Sequence, residues 1–157
     1  MSKIYYKYNK ETRIPVNDKL RVAVTRPCFR SVHSFLWKFA SVLCNMGGGK
    51  YLEYQLVSEN DGIVSRAEVV SWIPIFSFMP KNGYHIGPCN TVPKERGKGY
   101  YPYLLSRIID DAPTEDYYMI VDESNTSSIR GVIKAGFEEI GRGLKNRWGQ
   151  YIFSQKK

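Results

Sequence analysis

The residue pattern predicts an α+β domain: a mixed, largely antiparallel central sheet of about six to seven strands flanked by helices. Three observations lead there. Asn60-Asp61-Gly62 forms a hairpin turn between two strand-like runs, residues 84 to 121 read strand, helix, strand, and two further strand-like runs follow the last helix. The full order is strand, helix, a run of strands, helix, strand, helix, strand, strand, without internal repeat or low-complexity tract. A doubly wound fold would alternate strand and helix more strictly.

The first helix is predicted over Phe29 to Cys44, where Val32, Phe35, Leu36, Phe39 and Leu43 recur at helical spacing behind Pro27 and ahead of Gly47-Gly48-Gly49. Tyr51 to Val57 and Ile63 to Ile73 are rich in aromatic and β-branched residues and read as paired antiparallel strands. Pro74 to Gly83 carries two prolines among Ile75, Phe76 and Phe78, which suits an irregular loop that either closes over a site as a lid or tucks onto the core. Tyr84 to Thr91 reads as a strand, and Tyr101 to Asp111 as a helix with Leu104, Leu105, Ile108 and Ile109 on one face. Tyr117 to Val121 reads as a buried strand, which completes a right-handed crossover. Asn125 caps a short helix with Ile129, Val132 and Ile133 inward and Gly136 as its stop, before strands at Phe137 to Arg142 and Trp148 to Phe153.

Composition narrows the function classes. A chain of 157 residues that is 43% hydrophobic and 14% aromatic is of one-domain size and too apolar for disorder. No apolar run has the length of a signal peptide or a membrane span, so a membrane partner is not expected. Cys28, Cys44 and Cys89 are odd in number and widely spaced, which suits a reducing cytoplasm, and with His33 and His85 they assemble no metal site. The net charge of +8 favours a polyanionic partner, either a phosphorylated cofactor or nucleic acid. Basic and aromatic residues interleave in Tyr5 to Tyr8, but no nucleic-acid-binding pattern accompanies them, so nucleic acid is disfavoured.

Two glycine sites fail as phosphate loops. Gly49-Lys50 lacks a glycine at Cys44 and a hydroxyl at Tyr51, and Gly97-x-Gly99 lacks a third glycine at Pro102. Arg96-Gly97-Lys98-Gly99-Tyr100-Tyr101 survives, because it joins a predicted strand to a predicted helix with Pro102 in the first turn. Glycines there allow backbone N–H groups to converge, the helix dipole adds partial positive charge, and Arg96 and Lys98 add full charges, so a pyrophosphate is the natural guest. An exposed basic turn is the alternative reading of the glycines alone.

This turn resembles the R/Q-x-x-G-x-G/A signature of the GNAT superfamily of acetyl-CoA-dependent N-acetyltransferases, with Arg96 and Gly99 matching and Tyr101 departing. A second block, Asn125, Ser128, Ile129, Lys134, Gly136 and Phe137, resembles the family's N-x-x-A-I-x-x-x-x-K-x-G-F helix, and the resemblance runs from about residue 20 to 153. It implies a GNAT-like acyl-CoA N-acyltransferase fold in a single N-acetyltransferase domain over 1–157, acting as monomer or homodimer, with acetyl-CoA as co-substrate. By the same resemblance, Gly97, Lys98, Gly99, Tyr100 and Tyr101 hold the pyrophosphate with Arg96, and Cys89, Asn90 and Thr91 pair with the pantetheine arm, which Asn125 also reaches. Ser128 fills the motif's alanine slot, and Lys134 and Arg130 lie near the nucleotide phosphates.

The implied chemistry is direct attack of an amine on the thioester in a ternary complex. A lysine-like amine of pKa about 10.4 lies roughly 3.4 units above neutrality, so deprotonation costs about 4.6 kcal/mol before any bond forms. A base is therefore expected. His85 is the first candidate, eleven positions before Arg96 where histone-type relatives carry a glutamate, and Glu68 on the preceding strand is the second, read otherwise as a cross-strand surface charge. The tyrosine that many relatives use as general acid is Val132 here. The acceptor is read as a small-molecule amine. An amino sugar is favoured because Gly87-Pro88-Cys89 and the run from Arg96 to Leu105 resemble relatives associated with bacterial surface-glycan synthesis. A peptide or protein acetyltransferase, or a non-catalytic binder of coenzyme A or nucleic acid, is the alternative.

Overall fold

The computed structural model describes residues 2–9, 14–26, 49–60, 62–113, 115–145 and 151–155. Among them, eight strands form one sheet: β1 (Ser2–Tyr8), β2 (Leu20–Thr25), β3 (Tyr51–Ser58), β4 (Ile63–Ser71), β5 (Tyr84–Thr91), β6 (Tyr117–Asp122), β7 (Phe137–Lys145) and β8 (Tyr151–Gln155). Helix α1 (Tyr100–Asp111) joins β5 to β6, and α2 (Thr126–Lys134) joins β6 to β7. The predicted helix over 29–44 and residues 148–150 of the predicted last strand lie outside the described residues.

The sheet order is β2-β3-β4-β5-β6-β1-β7-β8, and β5/β6 is its parallel pair. The strand beyond the expected count is β1, inserted between β6 and β7 and antiparallel to both. Its residues Ile4, Tyr5 and Tyr6 are consecutively buried, since a central strand covered on both faces has no polar side to alternate with. This is why period-two reasoning passes over it. From β1 the chain crosses to β2 at the far edge, and the crossing segment is strapped to α1: Arg107 Nη2 donates to the Ile14 carbonyl at 2.7 Å, and Asn17 N donates to the Tyr103 hydroxyl at 3.1 Å.

The β3–β4 hairpin closes on Gly62, whose carbonyl accepts from Ser58 N at 3.0 Å. Alternation along the strands sends Tyr54, Leu56, Ala67, Val69 and Ile86 into one cluster with Leu104, Leu105, Ile108 and Ile109 of α1. Tyr51, Val70 and Tyr118 join a second cluster with Ile73, Phe76 and Met79. On α2 the expected inward set is corrected at one position: Val132 is fully buried, but Ile133 is 57% exposed.

The 74–83 segment is no free lid. A 3-10 turn at Pro74–Phe76 drives Phe76 into the second cluster, where it is fully buried and stacks on the His85 ring at a 4.3 Å centroid distance. Phe76→Ala should therefore cost about 3 to 5 kcal/mol of folding stability, as for other buried aromatic truncations, measured by denaturant titration. A cost under about 1 kcal/mol would return the segment to the surface.

Candidate functional site

The parallel β5/β6 ladder is short. It pairs Tyr84 with Tyr117 and His85 with Tyr118, although both strands continue, to Thr91 and Asp122. At the same level the β4/β5 register shifts between Ala67 and Val69, and Pro88 has no N–H to offer either neighbour. Beyond that point β5 keeps its bonds to β4, with Ala67 opposite Cys89 and Ser65 opposite Thr91. Its other edge opens on a cleft of about 510 Å³.

Three walls form this cleft. Cys89, Asn90 and Thr91 come from β5, the turn supplies Glu95, Arg96, Gly97 and Gly99 and leads into Tyr100, Tyr101 and Pro102 of α1, and Asn125, Ser127, Ser128, Arg130, Gly131 and Lys134 come from α2 and its cap. Gly97 and Gly99 have φ of 80° and 82°, and a Cβ on either would meet nothing within 4 Å. Their requirement is thus conformational: the left-handed dihedral, which disfavours side chains by roughly 1–2 kcal/mol, turns the chain into α1. No side chain caps α1. Its N-terminal amides and dipole face the cleft beside Arg96, Arg130 and Lys134, an arrangement suited to phosphate oxygens.

Side-chain bonds fix the turn to β5 and cap the start of α2. Arg96 Nε donates to the Thr91 carbonyl at 3.2 Å, which ties it to the end of β5. Asn125 Oδ1 accepts from Ser128 N at 3.1 Å and from the Ser127 hydroxyl at 3.0 Å, so the amide nitrogen is the group Asn125 can present to the cleft. Lys98 is the one sequence-expected phosphate ligand that does not line it, since its ammonium pairs with Glu95 at 2.9 Å. Arg130 lines the cleft as the resemblance implies, and Ser127 and Gly131 extend the expected set. An isolated glycine inside a predicted helix was the available sign of close packing at Gly131.

That packing involves Tyr101. A Cβ on Gly131 would lie 2.4 Å from the Tyr101 ring, so glycine at 131 gives the tyrosine its seat across the gap between the helices. The polar groups that bear on its hydroxyl are Cys89 of β5 and Ser128 of α2. Burial, then the neighbouring Cys89, hold the Tyr101 phenol well above its ordinary range, which keeps it protonated. Burial also pushes the Cys89 thiol up to about 12, opposed by the neighbouring Tyr101 and reinforced by the charge of Glu68, so this thiol is a poor nucleophile.

Neither predicted base lines the cleft. His85 lies in the second cluster, packed between Phe76 and Gly87, and burial lowers its imidazole to about 3. A group that weakly basic is ill-suited to deprotonating an amine at neutral pH. The surface reading of Glu68 is also corrected: it is 6% exposed, accepts from the Tyr51 hydroxyl at 2.5 Å, and pairs in register with the equally buried Glu53. Arg66 lies 3.8 Å from Glu53. Among the described residues no three His, Cys, Asp or Glu side chains converge where they could hold a metal, and no helix is long and apolar enough to cross a membrane.

No protein-family model matches the sequence, and no curated protein matches it. Solved structures do resemble the fold. They include a GNAT-family acetyltransferase from Colwellia psychrerythraea (TM-score 0.60, 10% identity, covering 88% of this chain and 52% of that one). A GCN5-related N-acetyltransferase from Sphaerobacter thermophilus gives 0.59 at 14% identity, over 90% of this chain and 49% of that one. A putative GNAT-family acetyltransferase from Novosphingobium aromaticivorans gives 0.57 at 14%, over 90% and 61%. The chain spans about half to three fifths of the length of these structures.

The His85 environment makes a thermodynamic prediction. Its folded pKa lies below the unfolded value near 6.5, so the unfolded chain binds the extra proton, and this contribution to stability is complete above pH 6.5 and is lost as pH falls toward 3. Unfolding free energy should drop by up to roughly 1.4 kcal/mol per pH unit between pH 6.5 and 4.5, and His85→Phe should flatten that slope. Equal slopes in the two proteins would place the imidazole in a more polar setting.

Proposed function

We infer the function from a fold that is shared with solved GNAT-family acetyltransferases. We propose that the chain binds coenzyme A through the turn before α1 and transfers an acetyl group from acetyl-CoA to the amine of a small acceptor, with an amino sugar as the favoured class. The carrying observation is the convergence, at one cleft, of the left-handed Gly97–Gly99 turn, the open edge of Cys89 to Thr91, and the capped start of α2. A diphosphate would take the α1 amides with Arg96, and Arg130 and Lys134 at the same cleft would take the nucleotide phosphates. The pantetheine amides would add a strand to β5 where the β6 ladder stops, with Asn125 as a further donor.

In this reading the thioester reaches the opening of the sheet near Cys89, and Glu68 supplies the negative charge felt there. We assign the base to Glu68 in place of His85, because a carboxylate can accept the amine proton where a desolvated imidazole cannot hold it. Backbone amides of β5 would polarise the thioester carbonyl. Attack by the neutral amine, collapse of the tetrahedral adduct and release of coenzyme A follow in one ternary complex.

Calorimetry with coenzyme A and a thiol-release assay with acetyl-CoA against amino sugars, polyamines and peptides test the reading. Gly99→Ala, which disfavours the left-handed turn without filling the cleft, should weaken coenzyme-A binding roughly tenfold. Wild-type protein giving no heat with coenzyme A would remove the cofactor, and the activity with it. Glu68→Gln should lower kcat by about a hundredfold while the KM for acetyl-CoA stays within about twofold, and an unaltered kcat would dismiss Glu68 as the base.

A further inference from the structure

Two residues of the cleft depart from what their positions ask for, and the departures meet. Tyr101, in the first turn of α1, stands where the signature it resembles has glycine or alanine. Gly131 stands inside α2, where a glycine is less stable than an alanine. It is not among the left-handed glycines, so its dihedrals do not call for the missing side chain. Contact does. A Cβ at 131 would lie 2.4 Å from Cδ1 and 2.7 Å from Cε1 of Tyr101, and the ring would have to move by about 1 Å to restore ordinary van der Waals distance. In a closed core such a fit would mean helix packing and nothing more, but both residues line the cleft. The ring reaches from the α1 wall to the α2 wall, and packs with Cys89 and Ile129 against the first core cluster. It therefore lies inside the opening bounded by the free edge of β5.

We propose that the Tyr101 ring is the wall that sets the path of the pantetheine arm along β5, and that Gly131 is the positioning residue that holds this ring back from the path. The inference rests on the coenzyme-A reading above. Backbone amides at the start of α1 serve a diphosphate whatever side chain position 101 carries, so the ring acts on the next part of the cofactor, the amide-bearing arm. One side of the ring is packed by α2 and the core, and its other side is the cleft. Interiors are close-packed, so a group added at 131 drives the ring toward the open side. The two departures together define a width: the tyrosine narrows a gap that a small residue would leave wide, and the glycine keeps the tyrosine from closing it. The role is steric, and no proton moves in it.

The test needs no acceptor. Coenzyme A and phosphoadenosine diphosphate, its nucleotide half without the arm, are titrated calorimetrically into wild type, Gly131→Ala, Tyr101→Ala and the double variant. Gly131→Ala should weaken coenzyme A roughly tenfold and leave the nucleotide half within about twofold. In the Tyr101→Ala background, where no ring remains to displace, the same glycine substitution should change neither ligand by more than about twofold. A Gly131→Ala protein that binds coenzyme A like wild type, or loses both ligands equally as a distorted α2 would, overturns the proposal. So does a penalty that persists without the ring. Absence of heat with coenzyme A in wild type sinks the cofactor reading instead, so the two failures are separable. If Gly131→Ala does not fold, judged by thermal melting, Tyr101→Ala alone decides. Loss of the wall should weaken coenzyme A about fivefold and spare the nucleotide half, and equal effects on the two ligands overturn the assignment.

Discussion

The early end of the β5/β6 ladder is the constraint on which the site depends. Two parallel strands that paired along their whole length would leave no edge to offer and no gap to enter. Here pairing stops after His85 and Tyr118, at the level where Gly87 takes a φ of 142°, Pro88 lacks a donor and β4 shifts register against β5. Cys89 to Thr91 are then paired with a neighbouring strand on the β4 side only, and a strand edge without a strand partner finds hydrogen-bond partners elsewhere, such as Arg96 at the Thr91 carbonyl, water or an extended ligand. The crossover through α1 brings a helix N-terminus to the same opening. One interruption in the sheet thus sets backbone groups for an amide-bearing chain beside positive ends for an anion.

Charge acts locally within this frame. The chain carries +8, but the positive side chains at the cleft do not act alike. Arg96 is committed through Nε to the end of β5 and Lys98 is committed to Glu95, whereas Arg130 and Lys134 stand one helical turn apart on α2 at the cleft itself. The exposed Lys98 pair contributes little to stability. Its consequence is positional, because it removes one cation from the set available to a phosphate and leaves the backbone turn with the larger share.

Tyr101 and Gly131 form a matched exchange. A tyrosine at a helix start where the signature prefers glycine or alanine reads, in isolation, as an obstruction. The glycine one helix away seats its ring and turns it into a wall of the cleft. The second face of the sheet shows a comparable reversal. A histidine with a convenient ordinary pKa is desolvated by Phe76 and its neighbours, whereas a glutamate that pattern reasoning assigns to the surface is enclosed and bonded to Tyr51. Side-chain chemistry at both places is set by neighbours distant in sequence, which residue type alone does not reveal.

The sequence by itself determined what depends on neighbours along the chain. The hairpin closing on Gly62, the Leu104, Leu105, Ile108 and Ile109 stripe, the Asn125 cap and the Gly97–Gly99 turn were legible because their causes are dihedral preference and periodicity within a few residues. The tertiary structure alone decided where β1 goes, since Ile4, Tyr5 and Tyr6 are apolar on both faces and carry no period to read. It likewise decided that Phe76 is buried, that Ile133 faces out, and that Glu68 and His85 are both enclosed. Those outcomes rest on desolvation and contact between residues far apart in the chain, and such energies do not exist until the sheet has brought the residues together.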